Sequence, residues 1–444
     1  MSARERIVIV GAGGRDFHVF NTLYRDDRSC EVIAFTAAQI PHIDSRRYPP
    51  VLAGEFYPHG IPIVPERMLD EMLAEPRRVD RVVFAYSDVT YDFVESLGMR
   101  VVRAGARFEA FDPESTMLRS SKPCVAVCAV RTGCGKSALS RHVAAELKKL
   151  GLRVAVLRHP MPYGDLARQI VQRFATIEDL ARHQCTIEEM EEYEPHVLAG
   201  HVVFAGVDYA EILAVAQDEA DVIVWDGGNN DTPFIRPDLL FTVLDPLRAG
   251  DEVRYFPARW NLEHADVLVL GKVDEAPPEA LDALRRSARL HNAQAEVIEG
   301  RSPIRLADPE AVRGRRVLVV EDGPTVTHGG MRHGAGLLAA LRCGAKEIVD
   351  PRPFAVGEIA EAYQKYGHLS DVLPALGYGE REVADLAATI EKADCDVVVS
   401  GTPIDLARIL RTRKPIVRAS YWYEDARPGA VAEILGRTFT PAAT

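Results

Sequence analysis

The sequence predicts an α/β protein built from three domains. Short apolar runs recur along its 444 residues, and each is followed by a glycine- or aspartate-containing turn and then by a helical pattern. This alternation is typical of parallel sheets with helices on their faces. Two polar stretches, near residues 115–123 and 300–316, interrupt the series. We therefore place the domains at residues 1–120, 121–305 and 306–444.

Nine of the apolar runs have the length and the content of β-branched residues expected of buried strands. They lie at 7–10, 31–35, 81–85, 125–129, 154–157, 222–225, 267–270, 317–320 and 397–399. A helix is predicted from Lys136 to Leu150, with Gly151 placed to end it. The acidic run from Glu188 to Glu194 is interpreted as the solvated face of another helix.

Composition narrows the class of protein. Apolar residues make up 47% of the chain and the formal net charge is −12, so we expect neither membrane insertion nor binding to nucleic acid. The N-terminal residues run directly into a strand pattern without the apolar segment of a signal peptide. The seven cysteines show no zinc-binding spacing. These features predict a cytoplasmic protein with free thiols.

The second domain opens with a strand, a glycine-bearing loop and a helix, which is the context of a phosphate-binding P-loop. Lys136 is expected to reach the β- and γ-phosphates and Ser137 to bind Mg²⁺. Val130 departs from the motif, which has glycine at that position. The predicted nucleotide contacts in this loop are Gly133, Cys134, Gly135, Lys136, Ser137 and Ala138.

Four further residues are predicted to take part in catalysis around this loop. Asp226 ends an apolar strand and is the expected second ligand of Mg²⁺. Arg158 and His159 open a turn-rich segment in a switch-like position, where they are expected to contact substrate or γ-phosphate. Arg131 stands where dimeric P-loop ATPases of the SIMIBI class carry a signature lysine, a likeness that predicts a homodimer.

A segment after a later strand resembles the base-reading NKxD motif of GTPases. Lys272 and Asp274 occupy the lysine and aspartate positions, but Gly271 replaces the asparagine. The same residues also suit a strand-end turn without contact to a base. ATP and GTP therefore both remain open as the nucleotide.

Two more glycine loops flank the central domain and carry cations suited to an anionic substrate. The first follows the N-terminal strand of a Rossmann-like domain, but Asp16 stands where the dinucleotide motif requires glycine, so NAD is not predicted. The second follows the strand at 317–320. Together with a proline-rich loop near residue 46, these loops supply the predicted substrate-binding residues Arg15, His18, Arg46, Arg47, Thr327, His328 and Arg332.

Taken together, these segments resemble the cyclic 2,3-diphosphoglycerate synthetase family. The resemblance rests on GRDFH, IPHIDSRRYPP, RTGCGKS, RHPMPYGD, WDGGNND, EDGPTVTHGGM and GTPIDL, which span nearly the whole chain. It implies a three-part enzyme that uses ATP and Mg²⁺ to close a diphosphorylated metabolite into a cyclic phosphoanhydride. Bacterial relatives of that family are often described as predicted GTPases.

The resemblance favours a P-loop ligase or synthetase acting on a small phosphorylated metabolite. In this interpretation the substrate's phosphate oxygen attacks the γ-phosphate in line and the activated diphosphate then cyclises. Two alternatives stay open. One is a kinase of another small phospho-acid, and the other is a GTPase switch or metal-cofactor chaperone, in which hydrolysis changes a partner interface.

Overall fold

The computed structural model describes residues 4–37, 43, 46–74, 79–159, 164–327, 329–376 and 379–439. Their strands form three main sheets flanked by helices, which confirms the predicted α/β class. Within these ranges no helix has the length and apolar character needed to cross a bilayer. The domain boundaries at residues 120 and 305 stay a prediction.

The first sheet has the strand order β3-β4-β2-β1-β5-β7, and only the β3–β4 pair is antiparallel. Its strands are β1 (Glu5–Val10), β2 (Cys30–Ala37), β3 (Arg47–Tyr48), β4 (Ile61–Pro65), β5 (Arg81–Phe84) and β7 (Arg107–Ala110). The helices are α1 (Arg15–Val19), followed by a π-helical turn (Phe20–Tyr24), α2 (Pro50–Ala53), α3 (Met68–Ala74), α4 (Tyr91–Arg103) and α5 (Pro113–Thr116). A short strand, β6 (Val89–Thr90), pairs instead with β14 (Tyr255–Phe256).

The central sheet has nine strands in the order β10-β11-β9-β12-β8-β13-β15-β16-β23 and is parallel except at its two edges. Its strands are β8 (Cys124–Ala129), β9 (Val154–Arg158), β10 (Gln172–Phe174), β11 (Val202–Ala205), β12 (Val222–Asp226), β13 (Leu239–Leu244), β15 (Val267–Leu270), β16 (Glu296–Arg301) and β23 (Glu424–Asp425). The helices are α6 (Lys136–Lys149), α7 (Ile177–Arg182), α8 (Ile187–Leu198), α9 (Tyr209–Glu219), α10 (Asp251–Arg254), α11 (Ala258–His264) and α12 (Pro278–His291), with a 3-10 turn at Pro246–Arg248.

The third sheet has the order β17-β22-β21-β18-β19, and β20 also pairs with β18. Its strands are β17 (Ile304–Leu306), β18 (Arg316–Asp322), β19 (Glu347–Ile348), β20 (Leu373–Ala375), β21 (Val397–Ser400) and β22 (Ile416–Tyr421). The helices are α13 (Gly323–Val326), α14 (Ala335–Cys343), α15 (Gly357–Lys365), α16 (Glu380–Lys392) and α17 (Leu406–Ile409), with a 3-10 turn at Arg352–Phe354. The last helix, α18 (Ala430–Phe439), packs with β23 against the core of the central sheet.

All nine predicted strands are confirmed, and α6 begins at the predicted Lys136. The solvated face predicted for residues 188–194 is wrong. In α8 the side chains of Glu188, Glu189, Glu191 and Glu194 are all at most 5% exposed, because the helix lies between the central and third sheets. Its residues Ile187 and Met190 pack in the core of the third sheet. Most of this acidic run is therefore enclosed, and part of it faces the site described next.

Candidate active site

The loop between β8 and α6 forms one wall of a cavity. Gly133 and Gly135 have φ angles of 81° and 97°, a conformation that glycine adopts easily because it has no Cβ. The helix α6 starts directly after them, so its N-terminus and the lysine side chain face the same space. Phosphates bind well at such a helix N-terminus. The cavity residues from this loop are Arg131, Thr132, Gly133, Gly135, Lys136, Ser137 and Ala138.

Two residues of the loop point into the protein. Val130, which replaces the glycine of the motif, is 2% exposed, and its N–H donates to the carbonyl of Val243 at 3.1 Å. Cys134 is buried and its sulfur accepts a hydrogen bond from Arg248 at 3.4 Å. Both side chains thus anchor the loop in the core, and the nucleotide contact predicted for Cys134 is restricted to its backbone.

Asp226 lies at the centre of a buried charge network behind the cavity. It ends β12, next to β8, and its carboxylate contacts Lys136 Nζ at 2.7 Å, Arg158 Nη1 at 2.9 Å and His196 Nε2 at 3.0 Å. Burial alone would raise its pKa, but Arg158 and Lys136 hold the pKa well below its usual range. The carboxylate is thus a fixed negative charge that orients the lysine.

Arg158 extends this network into the cavity. Its guanidinium also pairs with Glu192 of α8 and donates to the carbonyls of Asp226 at 3.1 Å and Gly227 at 3.0 Å. With 2% exposure it has no room to meet a substrate directly. The predicted contact of Arg158 with substrate is therefore replaced by a positioning role between Asp226 and Glu192.

The wall opposite the phosphate loop is acidic. Carboxylates reach the cavity from α8, from the end of β18 and from the segment before α12, which brings the central and third sheets to one space. These side chains are Glu191, Glu192, Glu275, Glu321 and Asp322. The lining of the cavity therefore combines these carboxylates with cationic side chains, Lys136 among them.

Sequence reasoning missed two more residues of this cavity, Arg141 on α6 and Tyr421 at the end of β22. Within the described part of the chain the Arg141 guanidinium makes no direct hydrogen bond or ion pair, and burial lowers its pKa. Spacing offered a signal, since Arg141 follows Ser137 by four residues on α6 and so lies on the same face of the helix. Tyr421 offered none, because only the third sheet brings it here.

Glu321 fills the anion site that the glycine loop after the strand at 317–320 was expected to provide. Its carboxylate accepts backbone N–H bonds from Gly334 at 3.0 Å, Gly336 at 3.2 Å and Leu337 at 2.8 Å, at the start of α14. Burial nevertheless raises the pKa of Glu321 to about 7. The helix N-terminus suited to a substrate phosphate is therefore satisfied from within the chain.

The substrate contacts predicted beside that helix start are not brought together. Thr327 is buried and its hydroxyl donates to the carbonyl of Gly323 at 2.7 Å. Arg332 is exposed and is absent from the described lining of the cavity. His328 lies outside the described residues. The loop contributes Met331 and His333 to the cavity instead.

Arg15 and His18, the substrate contacts predicted in the first domain, are 2% and 1% exposed. Arg15 Nε pairs with Asp231 at 2.9 Å, and its plane stacks on Phe234 at 4.0 Å. His18 Nε2–H donates to the carbonyl of Thr116 at 2.8 Å. His159, expected to contact substrate or γ-phosphate, joins the same cluster through Asp231 at 3.1 Å. Rather than contact the cavity, Arg15 and His18 join the first and central sheets.

The other arginines with predicted roles, Arg131, Arg46 and Arg47, make contacts within the chain. Arg131 pairs with Asp88 at 2.6 Å and Asp251 at 2.7 Å and lies 3.6 Å from the Tyr255 ring, so it ties the loop to neighbouring segments. Arg47 donates to the carbonyls of His59 and Gly60. Arg46 donates to the carbonyl of Gly164. Arg131 also lines the cavity, so the phosphate contact expected of it stays a prediction, as does the homodimer. Arg46 and Arg47 are absent from the described lining of the cavity.

The segment from Gly271 to Asp274 supports the phosphate loop. Lys272 donates to the carbonyl of Gly133 at 2.7 Å and pairs with Asp245 at 2.9 Å. It thus provides the tether that the missing asparagine would make in an NKxD motif. Asp274 is exposed and accepts a hydrogen bond from Ser302 N–H at 3.0 Å. Its contact with a base stays a prediction.

Comparison with known proteins gives one match along almost the entire chain. No family model matches. The chain is 54% identical over 432 residues to "Arginine synthetase ArcE" of Thermococcus kodakarensis, covering 97% of this chain and 96% of that protein. It is 31% identical over 258 residues to a tetraacyldisaccharide 4'-kinase of Anaeromyxobacter sp. (strain K), covering 53% and 64%. A crystal structure of LpxK from Aquifex aeolicus with ATP gives a TM-score of 0.44 at 15% identity, covering 73% and 90%.

Proposed function

This chain belongs to the family of arginine synthetase ArcE, and we propose that it uses ATP to make arginine. It is an NTP-dependent synthetase of the P-loop class. The name of its relative supplies the product, and the charge distribution of the cavity supports it. The cyclic diphosphate chemistry expected from the sequence is kept below as a second candidate.

The chemistry of arginine formation explains the need for ATP. Arginine differs from the ureido amino acid citrulline by a nitrogen in place of the terminal oxygen, and that oxygen is a poor leaving group. Transfer of the γ-phosphoryl group to it breaks the bond to ADP and forms a bond to the ureido oxygen. An amine then adds to the ureido carbon, and the carbon–oxygen bond breaks as phosphate leaves.

The observation that carries this proposal is the polarity of the cavity. A guanidinium product is a permanent cation, which carboxylates stabilise through charge-assisted hydrogen bonds. Glu191, Glu192 and Asp322 line the same cavity as Lys136. A cavity that holds both cations and carboxylates suits a reaction that begins on a phosphate chain and ends on a guanidinium group.

The residues of the positive end have roles that follow from their positions. Lys136 neutralises the γ-phosphate, held in place by Asp226 at 2.7 Å. Arg141, a buried cation without an ion partner in the described chain, suits the α-carboxylate of an amino acid substrate. Lys272 keeps the loop in shape through Gly133.

Mg²⁺ fits the oxygen donors beside the loop. Ser137 faces the cavity, and Mg²⁺ prefers hydroxyl, carboxylate and phosphate oxygens in such sites. Asp226 ends the adjacent strand with its carboxylate paired to Lys136, Arg158 and His196, so it would hold the ion through water. Among the described residues no three His, Cys, Asp or Glu side chains form a metal-binding group, so nucleotide phosphates would supply the other ligands. When bound, the ion would neutralise charge on the phosphates.

The second candidate is the cyclic phosphoanhydride synthesis implied by the sequence resemblance. Arg141 and Lys136 favour it, since both are cations in the cavity that a phosphorylated acceptor could use. The acidic wall opposes it, because a diphosphorylated acid would meet Glu191, Glu192 and Asp322 at close range. A single experiment separates the two candidates.

The protein is incubated with ATP or GTP, Mg²⁺ and ammonium, together with either citrulline or 2,3-diphosphoglycerate. Arginine is measured by chromatography and mass spectrometry, and phosphate, ADP and anhydrides by ³¹P NMR. We expect arginine, ADP and phosphate in equal amounts in the citrulline arm. A new anhydride signal without arginine would establish the second candidate, and nucleotide hydrolysis without either product would contradict both.

A further inference from the structure

We propose that Glu191, assisted by Asp322, binds the ammonium ion that supplies the incoming nitrogen and takes its proton. The inference rests on the proposed function and adds a site for the second substrate. Glu191 comes from α8 on the central sheet, and Asp322 ends β18 of the third sheet. Both line the cavity that holds Lys136.

The first support is the environment of the Glu191 carboxylate. The residue is 5% exposed, and neither of its carboxylate oxygens receives a hydrogen bond from a described N–H or O–H donor. The polar group that it meets is the carboxyl of Asp322. Buried carboxylates are normally satisfied by donors. This one has unfilled acceptor capacity beside a cavity that the residue lines.

The second support is the contrast with the other cavity carboxylates. Glu192 is neutralised by Arg158, and Glu321 accepts three backbone N–H bonds. Asp322 uses one oxygen, Oδ2, to accept from the N–H and hydroxyl of Thr325, and its carboxyl also meets that of Glu191. The carboxyl oxygens that lack an N–H donor are therefore those of Glu191, beside Asp322.

Ammonium matches this cluster in charge and in donors. Two adjacent carboxyls repel one another when both are ionised, and a cation with several N–H donors between them removes that cost. Glu188 and Glu192 add negative charge around Glu191, and Arg141 interacts with Glu192 and Tyr421. Burial and the Asp322 charge raise the pKa of Glu191 well above its usual range. A carboxylate in this environment is a stronger base than an exposed one.

The proposed nitrogen transfer moves two protons and replaces one carbon–oxygen bond with one carbon–nitrogen bond. One proton moves from ammonium to the Glu191 carboxylate, leaving neutral ammonia with a lone pair. That pair forms the carbon–nitrogen bond to the phosphorylated ureido carbon. The carbon–oxygen bond then breaks, its electrons leave with phosphate, and a second proton from the added nitrogen accompanies the phosphate. The product keeps a single positive charge as guanidinium.

The test uses Glu191→Gln, which keeps the side-chain size and removes the negative charge. The matched control is Glu194→Gln on the same helix, whose fully buried carboxylate pairs with Arg408 at 3.1 Å outside the cavity. Melting temperatures establish that both variants fold. Glu191→Asp provides a second variant that retains the charge.

Two reactions are measured on each full-length variant. Arginine formation is followed against ammonium concentration, and exchange of ¹⁸O between the bridge and non-bridge positions of ATP is followed with citrulline alone. We expect Glu191→Gln to lose arginine formation by about 10²-fold or more, as for a lost proton acceptor, with isotope exchange within about threefold of wild type. Glu191→Asp recovers part of the activity, and Glu194→Gln remains within about threefold in both assays.

Hydroxylamine gives a readout that a structural defect would not produce. It is largely unprotonated at neutral pH, so it requires no proton acceptor before attack, and Glu191→Gln is expected to form hydroxyarginine with a smaller loss than for ammonium. Equal losses with both nucleophiles, or an unchanged ammonium dependence, would overturn the proposal. So would loss of isotope exchange, which would place Glu191 in phosphoryl transfer or metal binding. If the wild-type protein forms no arginine and shows no citrulline-dependent isotope exchange, the proposed function itself is refuted.

Discussion

Replacing Arg15 with Met tests whether this arginine joins two parts of the fold or binds substrate. Its guanidinium pairs with Asp231 at 2.9 Å and donates to Thr232 Oγ1 at 2.8 Å and Thr116 Oγ1 at 3.2 Å. Breaking a buried pair by removing one partner costs about 3–5 kcal/mol because the other charge stays buried. His159 still contacts Asp231, so we expect a loss near 3 kcal/mol.

The assay is urea unfolding followed by tryptophan fluorescence, since Trp225 stacks on Phe234 at 4.6 Å beside the cluster. The matched control is Arg25→Met. Arg25 pairs with Asp208 at 2.7 Å and also joins the first and central sheets, but its side chain is 25% exposed. Exposed pairs contribute about 0–1 kcal/mol. Arg25→Met should therefore shift the unfolding midpoint far less than Arg15→Met.

Steady-state kinetics of Arg15→Met provide the result that would refute the joining role of Arg15. If Arg15 joins the sheets, the folded fraction of Arg15→Met keeps the KM for citrulline within about twofold of wild type. An unchanged unfolding midpoint combined with a tenfold or greater rise in that KM would refute our reasoning. That result would support the substrate contact that the sequence predicts for Arg15.

Three further predictions follow from the site. Lys136→Ala should lower product formation by about 10²-fold or more, because it removes a cation aimed at the transferring phosphate. The amount of product formed by the variant checks this. Removal of Mg²⁺ with EDTA should lower product formation at least as much. Lys272→Met should raise the KM for ATP and for GTP equally, by about tenfold for a lost charged hydrogen bond of ~1.5 kcal/mol to Gly133, whereas a selective loss of one nucleotide would indicate base contact. Glu321 has a folded pKa of about 7 against an ordinary 4.5, so the folded state binds the extra proton and stability falls as pH rises from about 4.5 to 7. Urea midpoints should show wild type losing up to ~3 kcal/mol more than Glu321→Gln across that range, and parallel curves would contradict it.

Local motifs explain why the phosphate end could be predicted from the sequence. The loop, the lysine and the start of α6 are contiguous in the chain, and glycine at positive φ is a property of that segment alone. Asp226 was predictable because parallel strands bring their carboxyl ends to one edge of a sheet. The pairing of β12 with β8 then sets Asp226 opposite Val127, close to the loop.

The acidic end could not be predicted, because its environment depends on packing between distant segments. A run of glutamates is ordinarily solvated, and nothing within α8 indicates that the third sheet covers it. The same limit applies to Arg15, whose glycine loop suits an anionic ligand as well as it suits Asp231, 216 residues away. A local pattern indicates that a charge needs a partner without saying whether that partner is a ligand or another part of the chain.

Contacts between the phosphate loop and the third sheet's glycine loop connect two walls of the cavity. Arg131 and Arg248 both donate to the carbonyl of Gly329, at 3.3 and 3.0 Å. A Cβ on Gly133 would lie 3.1 Å from Met331 Sδ, so the loops are in close contact. Arg248 also donates to the carbonyl of Thr132 at 2.7 Å. Under the proposed function the enzyme activates an oxygen and then replaces it, so both steps must align on one carbon atom. Contacts between the phosphate loop and the sheet that carries Asp322 suit that requirement.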